Sequence, residues 1–281
     1  MGRAVRACWH LASQPIRDIT EAMDRTVASG ERPWCRLAIF IVAAVACWFV
    51  YVPVHELLHV AGCELTGGDA QRLTLSPIYG GRILAAILPT AAAGGEYAGR
   101  LEGFRTYGSD LRYLATDAFP FLLTLAGVPL LRSASRRRTP TLAGAASVLA
   151  LAPFISLTGD YFEMGSVIVT RATAPFDLPP EPFSVSSGLM ALRSDDLPAL
   201  VARISNNPGA FSDGVPGGIA TVAGVIAISA LTALLLAVIT YTAGHGVAIL
   251  SVAGSPQAGQ AAEIRVGDSH CPGTGGTRSG R

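Results

Sequence analysis

The sequence has few charged residues and contains no lysine at all. Only 15% of its 281 residues are charged and 50% are hydrophobic, whereas roughly 25% of the residues in an average soluble domain are charged. This deficit argues against a soluble domain and indicates a lipid environment. The 21 basic residues are all arginines, which we attribute to codon usage and not to chemistry.

Further absences narrow the functional classes. The net charge is +1, and no basic stripe with interleaved aromatic residues occurs, so nucleic-acid binding is not expected. The five cysteines are scattered without a CxxC pair, which argues against a disulfide framework or a zinc ribbon. Residues 1–36 mix arginine with acids and lack an apolar core, so we expect a soluble N-terminal segment and not a secretory signal.

Four apolar runs are nearly long enough to cross a bilayer as helices, which takes about 20 residues. They lie at about 37–62, 113–131, 141–157 and 219–252. After the first run, residues 72–76 alternate like a strand. The sequence therefore predicts an all-α integral membrane protein with about four transmembrane helices and a short membrane-associated β-segment, together forming one domain over 37–253. Residues 171–215 are expected as a loop, and residues 254–281 as a disordered tail.

The placement of the arginines predicts how the chain is oriented. Four of them lie between 132 and 138, and six lie within the first 36 residues. Cytoplasmic segments next to membrane helices are rich in arginine. We therefore expect a multi-pass protein with both termini in the cytoplasm, in the plasma (inner) membrane of a bacterium.

A metal-site motif, His-Glu-Leu-Leu-His, stands at 55–59, near the outer end of the first apolar run. His55 and His59 are four residues apart on one helical face, with side chains about 6 Å apart, so both imidazoles can bind one metal ion. Glu56 can take a proton from metal-bound water without being a ligand itself. Ionisable residues inside a membrane are functional candidates because burying them there is unfavourable.

A catalytic zinc ion needs a third protein ligand. The extended HExxHxxGxxH pattern fails at Leu65, where its last histidine would stand. We expect Asp160 as the third ligand because it and His55 each lie about nineteen residues, or about 28 Å, from the start of a helix running outward. Asp117 is the alternative at the same depth, although its sequence context also reads as a helix N-cap. Glu163, one turn after Asp160, could support the site from behind the ligands.

These residues resemble the site-2 protease family of intramembrane zinc metalloproteases, of which the chain looks like a divergent member. The likeness rests on residues 53–62, on 65–68 followed by the strand-like 71–76, and on 152–160. In that family the HExxH helix precedes a β-segment, and a later helix carries an aspartate as the third zinc ligand. The resemblance implies Zn²⁺ held by His55, His59 and Asp160, with Glu56 as the catalytic general base.

The sequence thus predicts a zinc metalloendopeptidase that cleaves a membrane-embedded or membrane-proximal protein or peptide with metal-activated water. Because a helical peptide bond is shielded, the substrate must unwind, and we expect it to pair with the edge of the strand at 72–76. Two other classes remain open. One is a non-proteolytic metal-binding membrane protein, such as a regulator or assembly factor, and the other is an ion transporter that uses the same polar residues.

Overall fold

The computed structural model describes residues 2–28, 31–95, 97–173, 189, 192–193, 196–212, 215 and 217–253. Within this part the chain is mostly helical, with one small sheet. The helices are α1 (Arg3–Ala12), α2 (Gln14–Met23), α3 (Pro33–Leu65), α4 (Gly81–Ile87), α5 (Asp110–Ala118), α6 (Leu122–Arg137), α7 (Pro140–Ile155), α8 (Asp160–Thr173), α9 (Leu197–Asn206), α10 (Gly209–Ser212) and α11 (Gly218–Ala253). The strands are β1 (Asp69–Leu75), β2 (Ala91–Ala93) and β3 (Gly99–Arg105).

Among the described residues, four helical stretches are long and apolar enough to cross a membrane: Pro33–Leu65, Asp110–Arg137, Pro140–Ala172 and Gly218–Ser251. This confirms the predicted number of such helices and is compatible with a multi-pass membrane protein. The surface of α3 agrees, because several of its large apolar side chains are exposed, among them Ile41, Val42 and Val50. An apolar surface of this extent is unusual on a soluble monomer and is the normal surface of a helix that faces lipid.

Glycine allows the long helices to approach one another closely. A Cβ atom on Gly144 of α7 would overlap the backbone carbonyl of Phe40 on α3, and one on Gly127 of α6 would lie 2.5 Å from the backbone nitrogen of Ala150. Small residues at such crossings are a common means of packing membrane helices, because apolar burial from water does not drive their association in lipid. Helix α7 therefore lies directly between α3 and α6.

The sheet has the order β2-β1-β3, with β1 parallel to β2 and antiparallel to β3. The predicted β-segment is therefore present, but it is the central strand and has a neighbour on each side. Our expectation of a free edge at residues 72–76 is wrong, because Leu73 pairs with both Ala91 and Leu101. Among the described residues, β3 pairs only with β1, so its other edge is open.

The boundaries differ from the predicted ones in two regions. Helix α6 continues through Arg137, so most of the expected arginine loop is helical, and its cap Arg138 adopts a left-handed conformation. Within the predicted loop at 171–215, α8 continues to Thr173, and residues 197–206 and 209–212 form α9 and α10. Asp196 caps α9 by accepting a hydrogen bond from the backbone nitrogen of Ala199 at 2.8 Å. The predicted tail at 254–281 lies outside the described residues.

The N-terminal segment is helical and contacts the long apolar helices through Asp18 of α2. The Asp18 carboxylate accepts hydrogen bonds from the Tyr241 hydroxyl at 2.8 Å and from His245 Nε2 at 2.6 Å, both on α11. Burial opposes ionisation of Asp18, but these hydrogen bonds outweigh it and hold its pKa below the usual range. His245 therefore connects two helices and is remote from the HELLH motif in its contacts.

Candidate metal centre

Helix α3 presents His55 and His59 on one buried face. Their relative exposures are 7% and 5%, and their Nε2 atoms lie 3.1 Å apart. Pro53 lies inside the helix just before the motif. It removes one backbone hydrogen bond and favours a bend at this point. The spacing of four residues thus brings both imidazoles to a single point, as the sequence predicted.

The second nitrogen of each imidazole has a partner that fixes the orientation of the ring. His59 Nδ1 lies 2.9 Å from the backbone oxygen of Thr116. A carbonyl oxygen can only accept, so Nδ1 carries the proton and Nε2 of the neutral ring presents a lone pair. His55 Nδ1 lies 2.9 Å from the Tyr51 hydroxyl, which fixes the ring one helical turn earlier and leaves a lone pair on Nε2 when the hydroxyl accepts from Nδ1. Such hydrogen bonds orient most metal-binding histidines.

Asp160 completes the group because the third of the four long apolar stretches is interrupted beside the histidines. Helix α7 ends at Ile155, and α8 begins at Asp160 after a turn in which the Tyr161 nitrogen donates to the Ser156 carbonyl. The Asp160 Oδ2 atom lies 3.0 Å from His55 Nε2, and Oδ1 lies 3.5 Å from His59 Nε2. The carboxylate of a residue on another helix thus faces both imidazoles.

The three side chains can hold a metal ion. One ligand atom from each of His55, His59 and Asp160 lies within 4.8 Å of the other two. In a tetrahedral zinc site with bonds of about 2.0–2.2 Å, neighbouring ligand atoms are about 3.3 Å apart. The observed separations of 3.0 to 3.5 Å bracket that value. Lone pairs that face one another at such distances require a cation or a proton between them.

Glu56 lies beside this group in the same cavity, which has a volume of about 680 Å³. It is 8% exposed and packs against the backbone of β3. A Cβ atom on Gly99 would lie 2.5 Å from Glu56 Cγ. Any other residue at position 99 would therefore displace the Glu56 side chain. The carboxylate next to the first histidine is therefore positioned by the sheet that follows the motif.

Comparisons of the chain with protein-family models, with curated proteins and with solved structures found no match.

Asp117, the alternative ligand, lies in the cavity but outside the metal-ligating group. The interpretation of Asp117 as a helix N-cap is wrong. It lies near the end of α5, whose N-cap is Ser109, and the chain continues through a 3-10 turn into α6. The context Asp-Ala-Phe-Pro resembles a helix start because Pro120 lies in the 3-10 turn that follows Asp117. No helix begins at Asp117.

Several residues of the centre were not predicted. Tyr51 could have been found, because it lies four residues before His55 and hence on the same helical face. The Thr116 carbonyl carried no sequence signal, since any residue supplies one.

Glu163, expected to support the ligands, accepts a hydrogen bond from the Tyr113 hydroxyl at 2.7 Å, and both side chains line the cavity.

Proposed function

We propose that this protein is an intramembrane zinc metalloprotease. The observation that carries the proposal is the convergence of His55, His59 and Asp160 in a buried cavity that also contains Glu56. Three protein ligands with one position left for water are typical of catalytic zinc, whereas structural sites use four. Two imidazoles and one carboxylate supply nitrogen and oxygen donors that suit this ion. The likeness of the motif to the site-2 protease family agrees with this chemistry.

Each residue of the centre has a separate role in the proposed peptide hydrolysis. His55, His59 and Asp160 would hold a zinc ion, which would supply Lewis-acid chemistry by acidifying a water molecule and polarising the scissile carbonyl. Glu56 accepts a proton at its carboxylate from the attacking water and passes it to the leaving amine. Tyr51 and the Thr116 carbonyl keep the two Nε2 lone pairs directed at the centre. Burial of the His55, Glu56 and His59 side chains strengthens these electrostatic interactions.

The open edge of β3 is the proposed docking place for the substrate. Residues Gly99 to Phe104 of this strand line the cavity together with the HELLH motif, and the other edge of the strand faces β1. A substrate segment that has unwound from its helix needs partners for its exposed backbone groups. Addition of that segment to β3 as a further strand satisfies them and holds an extended peptide beside the metal centre.

The proposed orientation places both termini in the cytoplasm, with the arginines that end α6. The structure brings the start of α3 to the same face, since Arg36 Nη2 donates to the Arg138 carbonyl at 2.6 Å. Labelling of single cysteines with an impermeant thiol reagent tests the orientation. A cysteine at Arg136 should be protected in intact cells and one at Arg72 labelled, and the opposite pattern would overturn the orientation.

Cleavage by purified protein in proteoliposomes tests the proposed function. The substrate is a model protein with a single apolar helix that contains helix-destabilising residues. Glu56→Gln should lower the cleavage rate at least about 100-fold, because general base catalysis is lost, and should leave the zinc content unchanged. The matched control is Glu21→Gln on α2, which should cleave at the wild-type rate. Equal rates for wild type and Glu56→Gln would contradict the proposal.

A further inference from the structure

The cavity beside the metal centre is strongly acidic. Among the described residues, one arginine, Arg100, lines it. The carboxylates that line it are those of Glu56, Glu102, Asp117, Asp160, Glu163 and Asp196. A divalent ion at the centre would offset part of this formal charge and leave the cavity negative. A low-dielectric cavity of one charge sign attracts ligands of the opposite sign.

Asp117 is the carboxylate in this cavity that most clearly lacks a partner. It is 5% exposed, and its Oδ2 atom has no hydrogen-bond partner among the described residues. A buried ionised carboxylate is unfavourable unless a cation or hydrogen-bond donors compensate for the lost hydration. Because Asp117 lines the cavity, a group that enters the cavity can supply that compensation.

Glu163 provides a second carboxylate on the same side of the cavity. Its Oε2 atom accepts the hydrogen bond from Tyr113, which lies one turn before Asp117 on α5 and hence on the same helical face. The cation that acts electrostatically on Glu163 is Arg100. Arg193 is engaged elsewhere, since its Nη1 donates to Asp110 at 3.0 Å and its Nε to Thr170 at 2.7 Å. The guanidinium of Arg193 is therefore committed to other partners.

The chemistry of a ligand for Asp117 and Glu163 follows from what these two carboxyl groups can and cannot bind. An anion is excluded by the charge. A second metal ion is disfavoured, because among the described residues only His55, His59 and Asp160 form a group of three ligating side chains. An ammonium or guanidinium group, in contrast, needs carboxylate oxygens as acceptors and requires no fixed coordination number.

We propose that Asp117 and Glu163 form a subsite that binds a cationic nitrogen group of the substrate beside the metal centre. The group is an arginine or lysine side chain or an N-terminal ammonium, which share this chemistry. The inference rests on the proposed function, and it adds a preference for substrates with a basic group near the scissile bond. The basic group of such a substrate would pair with Asp117 upon binding. This pairing would fix which peptide bond of the substrate lies beside the metal centre.

Peptide binding to the zinc-loaded Glu56→Gln protein in detergent tests this subsite without requiring turnover. The first probe is an N-acetylated tripeptide amide with a central arginine, and the second carries citrulline, the neutral isostere of arginine. The third is the citrulline peptide with a free N-terminus. The first or the third should bind at least about tenfold more tightly than the second, and which of them does so assigns the cation to a side chain or to the N-terminus.

Substitutions then attribute the preference to the proposed pair. Asp117→Asn should abolish the difference between the charged and neutral peptides, and Glu163→Gln should reduce it. Glu21→Gln is the control, because this carboxylate lies on α2 outside the cavity and its side chain is 54% exposed, and it should keep the preference within about twofold. Thermal unfolding of each variant verifies folding, and Asp117→Asn should unfold no earlier than its parent, because Oδ2 makes no hydrogen bond among the described residues that the substitution would break.

Four results would overturn the subsite. Three of them are equal binding of all three peptides, an unchanged preference in folded Asp117→Asn, and no binding of any peptide at about 1 mM. A second zinc ion per chain that Asp117→Asn removes would also overturn it, since the pair would then hold a metal. Preferential binding by a protein that cleaves no substrate would retain the subsite and refute only the proteolytic function.

Discussion

The Asp160 carboxylate lies 3.0 Å from Nε2 of His55, although 105 residues separate the two in the chain. The contact forms because α3 and the α7–α8 stretch reach the same depth, and because the turn before Asp160 directs its side chain towards α3. Together with His59 it makes a group able to hold a metal ion. The proposed chemistry depends on this contact more than on any other.

Asp160→Asn should weaken zinc binding more than about 100-fold, beyond the 10–100-fold typical of residues that only orient a ligand. The substitution keeps the shape of the side chain but removes its charge. Asp117→Asn is the control in the same cavity and should change the affinity less than about tenfold, because Asp117 lies outside the ligating group. Competition with a zinc chelator measures both. The reverse order of effects would make Asp117 the ligand.

The counting of residues along apolar helices was sufficient to place Asp160 beside the motif, because helical rise is constant. It was insufficient for the sheet. The strand β2 consists of three alanines, which have low β-propensity, and β3 alternates too little to be recognised as a strand. Both depend on β1 for their hydrogen bonds, so their presence is a property of the tertiary structure. The wrong interpretation of Asp117 as an N-cap has a similar cause. The local sequence alone cannot distinguish the start of a helix from a turn that interrupts a longer helical stretch.

Tyr51→Phe should lower the zinc affinity about 10–100-fold while the protein stays folded. The hydroxyl of Tyr51 orients His55 through Nδ1 at 2.9 Å, and phenylalanine preserves the ring but not that partner. Tyr79→Phe provides the control, because its hydroxyl accepts from Trp48 and not from a ligand. Chelator competition again gives the affinities. A wild-type affinity for Tyr51→Phe would show that the hydrogen bond does not orient the ligand.

Gly99→Ala should reduce cleavage up to about 100-fold, because a displaced catalytic group loses its productive geometry. The new methyl group would lie 2.5 Å from Glu56 Cγ, whereas the three ligands are untouched and zinc should stay bound. Gly224→Ala on α11, where a Cβ meets nothing within 4 Å, should cleave normally. Should Gly99→Ala keep full activity, the position of Glu56 does not depend on β3.

Asp18→Asn should lower the stability at pH 7 by about 2 kcal/mol, because charge-assisted hydrogen bonds to Tyr241 and His245 are weakened. The pKa of Asp18 is lowered in the folded protein. Its contribution is therefore fully present above the unfolded value of about 3.9 and is lost as the pH falls through the folded pKa. Thermal unfolding in detergent should show the difference between wild type and variant shrinking below about pH 4.

The control for Asp18 is Glu21→Gln on the same helix. Glu21 pairs with Arg25, and the side chains of both residues are more than half exposed, so its removal should cost less than about 1 kcal/mol. An equal loss for the two variants, or a difference that does not change with pH, would mean that the contact between α2 and α11 does not depend on the charge of Asp18.

Zinc content of the purified wild-type protein, measured beside His55→Ala and His59→Ala after removal of loosely bound metal, tests the central claim most directly. We predict about one zinc ion per wild-type chain and close to none in either variant, because two ligands cannot retain the ion in a three-ligand site. A folded wild-type protein that binds no zinc when the metal is supplied, or histidine variants that keep it, would contradict the proposed centre.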